Sequence, residues 1–246
     1  MMTGRLIVVG FGPGSKEDMT IRAIDAIEGA DLIVGYTTYV DILKEFFPHK
    51  TYKVSGMMRE IERCKMAIED ALTGKNVAMV SSGDSGIYGM SGIIYQLVED
   101  MDADIEVEVV PGITAASSAS ALLGSPLMHD TALISLSDLL TPLDLIMKRV
   151  KAAAESDMVA VFYNPKSKTR TDYLSKAIGI LKEHRSPSTP IGIVRNIGRK
   201  DEVAWTTTFQ EFDDSKVDMF CTVVVGNTQT YMFKDLMVTP RGYSLD

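Results

Sequence analysis

Short runs rich in β-branched residues alternate with longer stretches of helical periodicity along the whole chain. This alternation limits the possible folds more than any other feature of the sequence. Strands are predicted over residues 6–9, 32–34, 77–81, 105–110, 133–136, 159–163, 191–194 and 221–225. Between two of them, Leu143, Ile146, Met147 and Val150 recur at i, i+3, i+4 and i+7, behind Thr141 as N-cap and Pro142 as the first helical residue. Leu174, Ala177, Ile178 and Leu181 repeat the pattern, and Ile61, Ile68 and Leu72 mark a further helix. Such alternation implies an α/β fold, with sheets covered by helices. A chain of 246 residues can bury two separate cores. Continuity is weakest at Gly124-Ser125-Pro126, which divides the chain into expected domains 1–124 and 125–246, with a cleft between them as the natural ligand site.

The formal net charge of −8 argues against a general nucleic-acid or membrane-surface binder, so neither is expected as a partner. An anionic substrate would need a local basic patch. Two cysteines, Cys64 and Cys221, are too few for a disulfide framework or a Cys-rich metal site. Both lie in apolar patterns and are expected as core thiols. The apolar run near the N-terminus is too short for a signal peptide or a membrane span. A cytoplasmic protein is expected.

Four loops at strand ends carry the chemistry. The first, Gly10-Phe11-Gly12-Pro13-Gly14-Ser15, has two of the glycines of a dinucleotide fingerprint but Ser15 in the third position. Pro13 removes a backbone N–H that a pyrophosphate would use, and Glu17 and Asp18 follow at once. The ligand is therefore expected to carry no phosphate. The second loop, residues 81–90, sets Asp84 among Gly83, Gly86 and Gly89. Its glycines permit a close backbone approach, and its carboxylate suits a ligand ammonium or hydroxyl. The third, residues 109–121, turns from a strand into a helix of alanine and serine. The fourth, residues 161–170, places the turn Asn164-Pro165 ahead of Lys166, Lys168 and Arg170. Each loop alone reads as an ordinary connection; their joint occurrence in this order does not.

The segments VVGFGPGSKEDMT, SSGDSGIYGM and VVPGITAASSASALLGSPLMHD together resemble the tetrapyrrole methylases, the class III S-adenosylmethionine-dependent methyltransferases. HDTALISLSDLLTP, VFYNPKSKTR and VVVGNTQTY are similar to the subgroup that methylates C17 of precorrin-3B or cobalt-factor III in cobalamin biosynthesis, contracting the macrocycle. The resemblance covers essentially the whole chain. It implies two α/β domains with S-adenosylmethionine in the interdomain cleft and S-adenosylhomocysteine as product. It assigns cofactor contacts to Pro13, Gly83, Asp84, Ile87, Thr114, Ala115, Asn164, Asn196 and Ile197. It implies an anionic tetrapyrrole substrate and a homodimer.

Three positions depart from the family's pattern, one of them Leu143, where an aromatic residue often follows Leu-Thr-Pro. The family's usual Gly-Asp-Pro reads Gly83-Asp84-Ser85, which is expected to loosen that turn, and Ile197 stands where many relatives have glycine. Some relatives carry a C-terminal extension with a metal cluster; this chain stops at Asp246, and no metal is expected. Ring contraction moves protons, so a general acid or base is useful. His129 and Asp138 are the candidates, with Asp130 behind them. Lys166, Lys168, Arg170 and Arg195, together with Arg199, are candidates for the substrate carboxylates. The competing readings are another tetrapyrrole methylase, a nicotinamide-dependent oxidoreductase, which the incomplete fingerprint disfavours, and a non-catalytic tetrapyrrole-binding protein.

Overall fold

The computed structural model describes residues 4–244. The chain forms two compact units, the first ending at Ala115 and the second beginning at Ala116. The first unit is a five-stranded parallel sheet in the order β3-β2-β4-β1-β5. Its strands are β1 (Arg5–Gly10), β2 (Leu32–Tyr36), β3 (Tyr52–Ser55), β4 (Asn76–Ser81) and β5 (Glu106–Val110). Successive residues of a strand face opposite sides, and both sides here are apolar. Ile7, Val9, Ile33, Ala78 and Val80 pack against α1 (Ile21–Gly29) and α2 (Thr37–Phe46) through Ala23, Ile27 and Leu43. Leu6, Val8, Val34, Val77 and Met79 pack against α3 (Glu60–Leu72) and α4 (Ser91–Asp100) through Cys64, Ile68, Ile94 and Leu97. Burial on both faces explains why the strand runs are apolar throughout rather than alternating. The Thr20 hydroxyl accepts from the Ala23 amide at 3.1 Å and caps α1.

This winding positions the site. The connection from β1 leads to α1 on one face, while that from the adjacent β4 leads to α4 on the other. Where neighbouring strands send their connections to opposite faces, a crevice opens beyond their carboxyl ends. The GPG loop and the Gly83–Asp84 loop leave from those two ends.

The second unit begins within α5 (Ala115–Leu123) and is built on a mixed sheet, β10-β9-β11-β8-β7. Here β7 (Thr131–Ser135) and β8 (Val159–Tyr163) run parallel. β11 (Cys221–Val225) is antiparallel to β8 and to β9 (Pro190–Arg195), which pairs antiparallel with β10 (Val203–Thr208). On one face Phe162, Ile191, Ile193, Val223 and Val225 pack with α6 (Leu143–Glu155) and α7 (Tyr173–Lys182). On the other, Leu123 and Met237 come so close to Gly192 that a Cβ there would lie 2.5 and 2.7 Å from them. A small sheet of β6 (Gly124–Ser125), β12 (Tyr231–Phe233) and β13 (Leu236–Val238) completes the unit. The buried Arg185 guanidinium donates to the carbonyls of Ala154, Met158, His184 and Gly226 and pairs with Asp157 at 3.1 Å.

Several expectations change. Gly124-Ser125, at the expected domain boundary, is a short strand paired with Met237 and Val238, and the two compact units divide between Ala115 and Ala116. Pro142 is extended (ψ 140°) and occupies the cap position itself, with α6 starting at Leu143; its carbonyl accepts from Leu145 and Ile146. The helix marked by Ile61, Ile68 and Leu72 exists, but its buried face is Cys64, Ala67, Ile68 and Ala71, while Ile61 and Leu72 are 52% and 48% exposed. Strands β3, β6, β10, β12 and β13 were absent from the sequence expectation.

Candidate active site

Three loops meet beyond the carboxyl ends of β4, β1 and β5. Gly12 and Gly83 exchange a pair of backbone hydrogen bonds, 3.1 Å from the Gly12 amide and 2.7 Å from the Gly83 amide, and the Phe11 amide donates to the Ser81 carbonyl at 3.0 Å. The loop after β5 crosses this pair. A Cβ on Gly112 would lie 2.2 Å from the Gly83 oxygen and 2.4 Å from the Gly10 oxygen, distances no side chain tolerates. Glycine is therefore required there by contact between the loops.

Asp84 fastens the crossing. One carboxylate oxygen accepts from the Gly86 and Ile87 amides at 2.8 and 3.1 Å; the other accepts from the Gly112 amide at 3.0 Å. The carboxylate, expected to meet a ligand, is engaged with backbone of its own loop and of the neighbouring one. Ser85 is fully buried, and its carbonyl accepts from the amide and hydroxyl of Ser91, so the turn is closed rather than loosened. Ser15 donates to Asp18 at 2.7 Å, a local turn with no role in a phosphate cradle.

The donor set tests the implied cofactor. The amides of Gly12 and Gly83 are spent on each other's carbonyls and that of Gly112 on Asp84, so these three glycine amides are not free to cradle a pyrophosphate. At Gly83, with φ of 70°, an added Cβ would meet only Ala115 and Thr114 backbone at 4.0 Å, so one side of this glycine is open. Half-buried Ile87 follows on the same loop, and buried Pro13 adjoins Gly12. These residues fit a phosphate-free nucleoside such as S-adenosylmethionine. The first unit thus brings Pro13, Gly83, Asp84, Ile87, Thr114 and Ala115 into one neighbourhood.

In the second unit the strand ends carry two asparagines in the left-handed region, Asn164 after β8 (φ 51°) and Asn196 after β9 (φ 56°). Asparagine tolerates this conformation better than most residues. β8 and β9 both run antiparallel to β11, so the two asparagines lie at the same edge of the sheet. The Asn164 side-chain amide donates to Ser135 Oγ at 3.0 Å, and the Asn196 amide donates to the Phe220 carbonyl at 3.2 Å. The Ile197 side chain is buried, which leaves its backbone for any contact. The Tyr163 hydroxyl accepts from the Ala116 amide at 3.0 Å and satisfies a first-turn N–H of α5.

The basic candidates divide. Lys166 pairs with Asp214 at 2.9 Å, and Arg195 with Asp218 at 2.9 Å. The hydrogen bond to Asp218 and its charge raise the Arg195 pKa further. Arg170 donates to Ser167 Oγ and to the Leu136 carbonyl and lies 3.9 Å from Asp138. Lys168 is exposed and has no ion-pair partner among the described residues. The loops after β7 and β8 are tied together by these contacts and by Tyr173, whose hydroxyl donates to Asp138 at 2.7 Å. That hydrogen bond to the carboxylate, together with burial, raises the Tyr173 pKa, so the phenol stays protonated at neutral pH. His129 is exposed, and its ring has no hydrogen-bond partner among the described residues; the Asp130 carbonyl accepts from the Val159 amide. Among the described residues no hydrogen bond or ion pair joins His129 to Asp138, Tyr173 or Arg170. Among the described residues no group of His, Cys, Asp and Glu has the arrangement of a metal site.

Gly112, Tyr163 and Tyr173 were not singled out in the sequence. Gly112, in the Pro-Gly turn that closes β5, had a local signal, whereas the two tyrosines act through partners 47 and 35 residues away.

Residues 5–213 match a family model described as Tetrapyrrole (Corrin/Porphyrin) Methylases. A protein of Salmonella typhimurium, "Probable cobalt-factor III C(17)-methyltransferase", is 50% identical over 98% of this chain and 100% of its own length. "Cobalt-factor III methyltransferase" of Priestia megaterium is 46% identical over 98% of this chain, which spans 46% of that longer protein. Among solved structures, that of the methyltransferase CobJ superposes with a TM-score of 0.90 at 32% identity, covering 96% of this chain and 100% of that one. Uroporphyrin-III C-methyl transferase from Thermus thermophilus, complexed with S-adenosyl homocysteine, shares the fold at a TM-score of 0.69 and 21% identity, over 91% and 97% of the two chains.

Proposed function

The chain belongs to the tetrapyrrole methylase family, and from that premise we propose that it transfers a methyl group from S-adenosylmethionine to C17 of cobalt-factor III or precorrin-3B, with contraction of the macrocycle. The observation that carries this reading is the loop crossing of Gly12, Gly83 and Gly112, whose amides are engaged with protein acceptors, in a chain that matches a protein named as a probable C17-methyltransferase over its full length. Gly83, Ile87, Thr114, Ala115 and Pro13 would contact the cofactor, with Asp84 setting the loops that carry them. Asn164, Asn196 and Ile197 have the same assignment on the second unit.

The bound cofactor supplies a methyl group activated by its own sulfonium. The protein's part is orientation, which is worth about 7–11 kcal/mol when reactants are held in line. We assign proton acceptance to Asp138, which is held by Tyr173 and lies 3.9 Å from Arg170, with His129 as a second candidate on an exposed segment. Lys168 is the basic residue available to a substrate carboxylate. We assign Lys166, Arg170 and Arg195 to the same basic face, where their paired acids set their positions. A homodimer acting in the cytoplasm completes the proposal. It is supported by the resemblance. Among the described residues, no helix is long and apolar enough to cross a membrane.

The decisive assay incubates the protein with S-adenosylmethionine and either cobalt-factor III or metal-free precorrin-3B, reading mass and absorption. A mass gain of one methyl with ring contraction on one substrate is expected. S-adenosylhomocysteine at a hundred times its dissociation constant should stabilise the fold by about 2.7 kcal/mol. No melting shift at millimolar ligand would sink the cofactor assignment, and a monomer mass in light scattering would sink the dimer.

A further inference from the structure

The loop from Leu136 to Pro142 is fixed at its base and apolar at its tip. The Ser137 amide donates to Ser135 Oγ at 3.3 Å, Arg170 donates to the Leu136 carbonyl at 3.2 Å, and Tyr173 donates to Asp138 at 2.7 Å. The Leu136 amide is itself bonded to the Tyr163 carbonyl at 2.9 Å. Beyond these anchors Leu139 and Leu140 are 66% and 94% exposed. Two adjacent leucines held in water by an anchored loop lose the burial that leucine normally gains, about 1.5–3 kcal/mol each. The anchors fix where the tip stands, so its exposure is a property of the fold.

We propose that the Leu139–Leu140 tip, set by the Asp138–Tyr173–Arg170 knot and with Lys168 on the loop that forms the knot, is a substrate-specificity surface on which the apolar face of the tetrapyrrole rests. The inference rests on the tetrapyrrole reading above. Three observations select this occupant. The tip rises from the carboxyl end of β7, beside the β8 end that carries Asn164, which is bonded to Ser135. Two leucines expose too little area for a stable protein partner, which needs roughly 1,000 Å² or more, but they match the face of a flat macrocycle. Lys168, exposed and with no ion-pair partner among the described residues, supplies a cation for a peripheral carboxylate, while Lys166 and Arg170 are committed to neighbours.

The test titrates cobalt-factor III into protein saturated with S-adenosylhomocysteine, followed by absorption, for wild type, Leu139→Ser, Leu140→Ser and Tyr173→Phe. Melting curves, S-adenosylhomocysteine affinity and light-scattering mass are measured alongside. Each leucine variant should weaken the tetrapyrrole about tenfold, and Tyr173→Phe severalfold, with cofactor affinity and mass unchanged. Wild-type affinity in both leucine variants overturns the inference. So does a change in mass in either, because the leucines would then cover a second copy. A wild-type protein that binds S-adenosylhomocysteine but no tetrapyrrole overturns the functional proposal and this one with it, whereas binding that survives substitution overturns this one alone.

Discussion

Replacing Asp84 by alanine separates a carboxylate that touches the cofactor from one that shapes the loops around it. The side chain accepts from three amides at 2.8, 3.0 and 3.1 Å. A hydrogen bond to a charged group contributes roughly 1.5–3 kcal/mol when desolvated. The exposed Gly86 amide recovers a water bond after substitution, and the half-buried Gly112 amide recovers less. A net loss of about 2–3 kcal/mol follows, or roughly 4–12 °C in melting temperature for a chain of this size. Unlatching Gly112 also frees the loop that carries Thr114 and Ala115, so S-adenosylhomocysteine should bind about ten- to a hundredfold more weakly. Asp84→Asn keeps one acceptor for Gly86 and Ile87 but turns an NH₂ donor toward the Gly112 N–H. It should therefore lose stability too, by less than alanine. Differential scanning calorimetry and titration calorimetry on both variants decide the matter. Weakened binding with an unchanged melting curve in Asp84→Ala would refute the latch and restore direct contact with the ligand.

Three further outcomes are expected. Gly112→Ala places a methyl within 2.4 Å of two carbonyl oxygens and should lower the melting temperature and abolish measurable S-adenosylhomocysteine binding; wild-type affinity would show that the loops need not cross. Burial pushes the thiols of Cys64 and Cys221 up to about 12 and about 11, so neither should react with a disulfide reagent at pH 8 until denaturant is added, and rapid labelling of native protein would contradict their placement. Burial acts to raise the Asp70 pKa, but the hydrogen bonds and charges of Lys53 and Lys75 outweigh it and leave the carboxyl below its ordinary value of 3.8. Its contribution to stability is therefore present above about pH 4 and is lost as pH falls through the folded-state value; Asp70→Asn should flatten the acid limb of the stability–pH curve, and an unchanged limb would remove Asp70 from that account.

The central strands of both sheets were legible because strands buried on two faces need unbroken apolar runs, whether parallel or, like 221–225, antiparallel; 159–163 and 221–225 were predicted to the residue. Strands on the periphery were not. β10 carries a half-exposed VAWTTT, and β12 and β13 are three residues each, too short for a period of two to register. The helix α3 registered through Ile61, Ile68 and Leu72, but its buried side was not legible, because it is built largely from Cys64, Ala67 and Ala71, small residues that score weakly as apolar, while Ile61 and Leu72 are exposed. At the site, the glycines and Asp84 stood out in the sequence, but their purpose did not. That Gly10, Gly83 and Gly112 answer to one another, and that Lys166 and Arg195 answer to Asp214 and Asp218, depends on separations of 23 to 102 residues.

The antiparallel bridge between Gly12 and Gly83 joins two loops before any ligand arrives. Ordering a residue of a free loop removes about 1–2 kcal/mol of backbone freedom, and in this chain that entropy is surrendered during folding instead of on association. A nucleoside ligand then docks on a preorganised rim, and its binding heat capacity should reflect the surface it covers, without the larger signature of coupled folding. The same bridge has a second effect: opening the rim between these loops would break both of its backbone hydrogen bonds, so any motion that admits substrate is cheaper where no such pair must part.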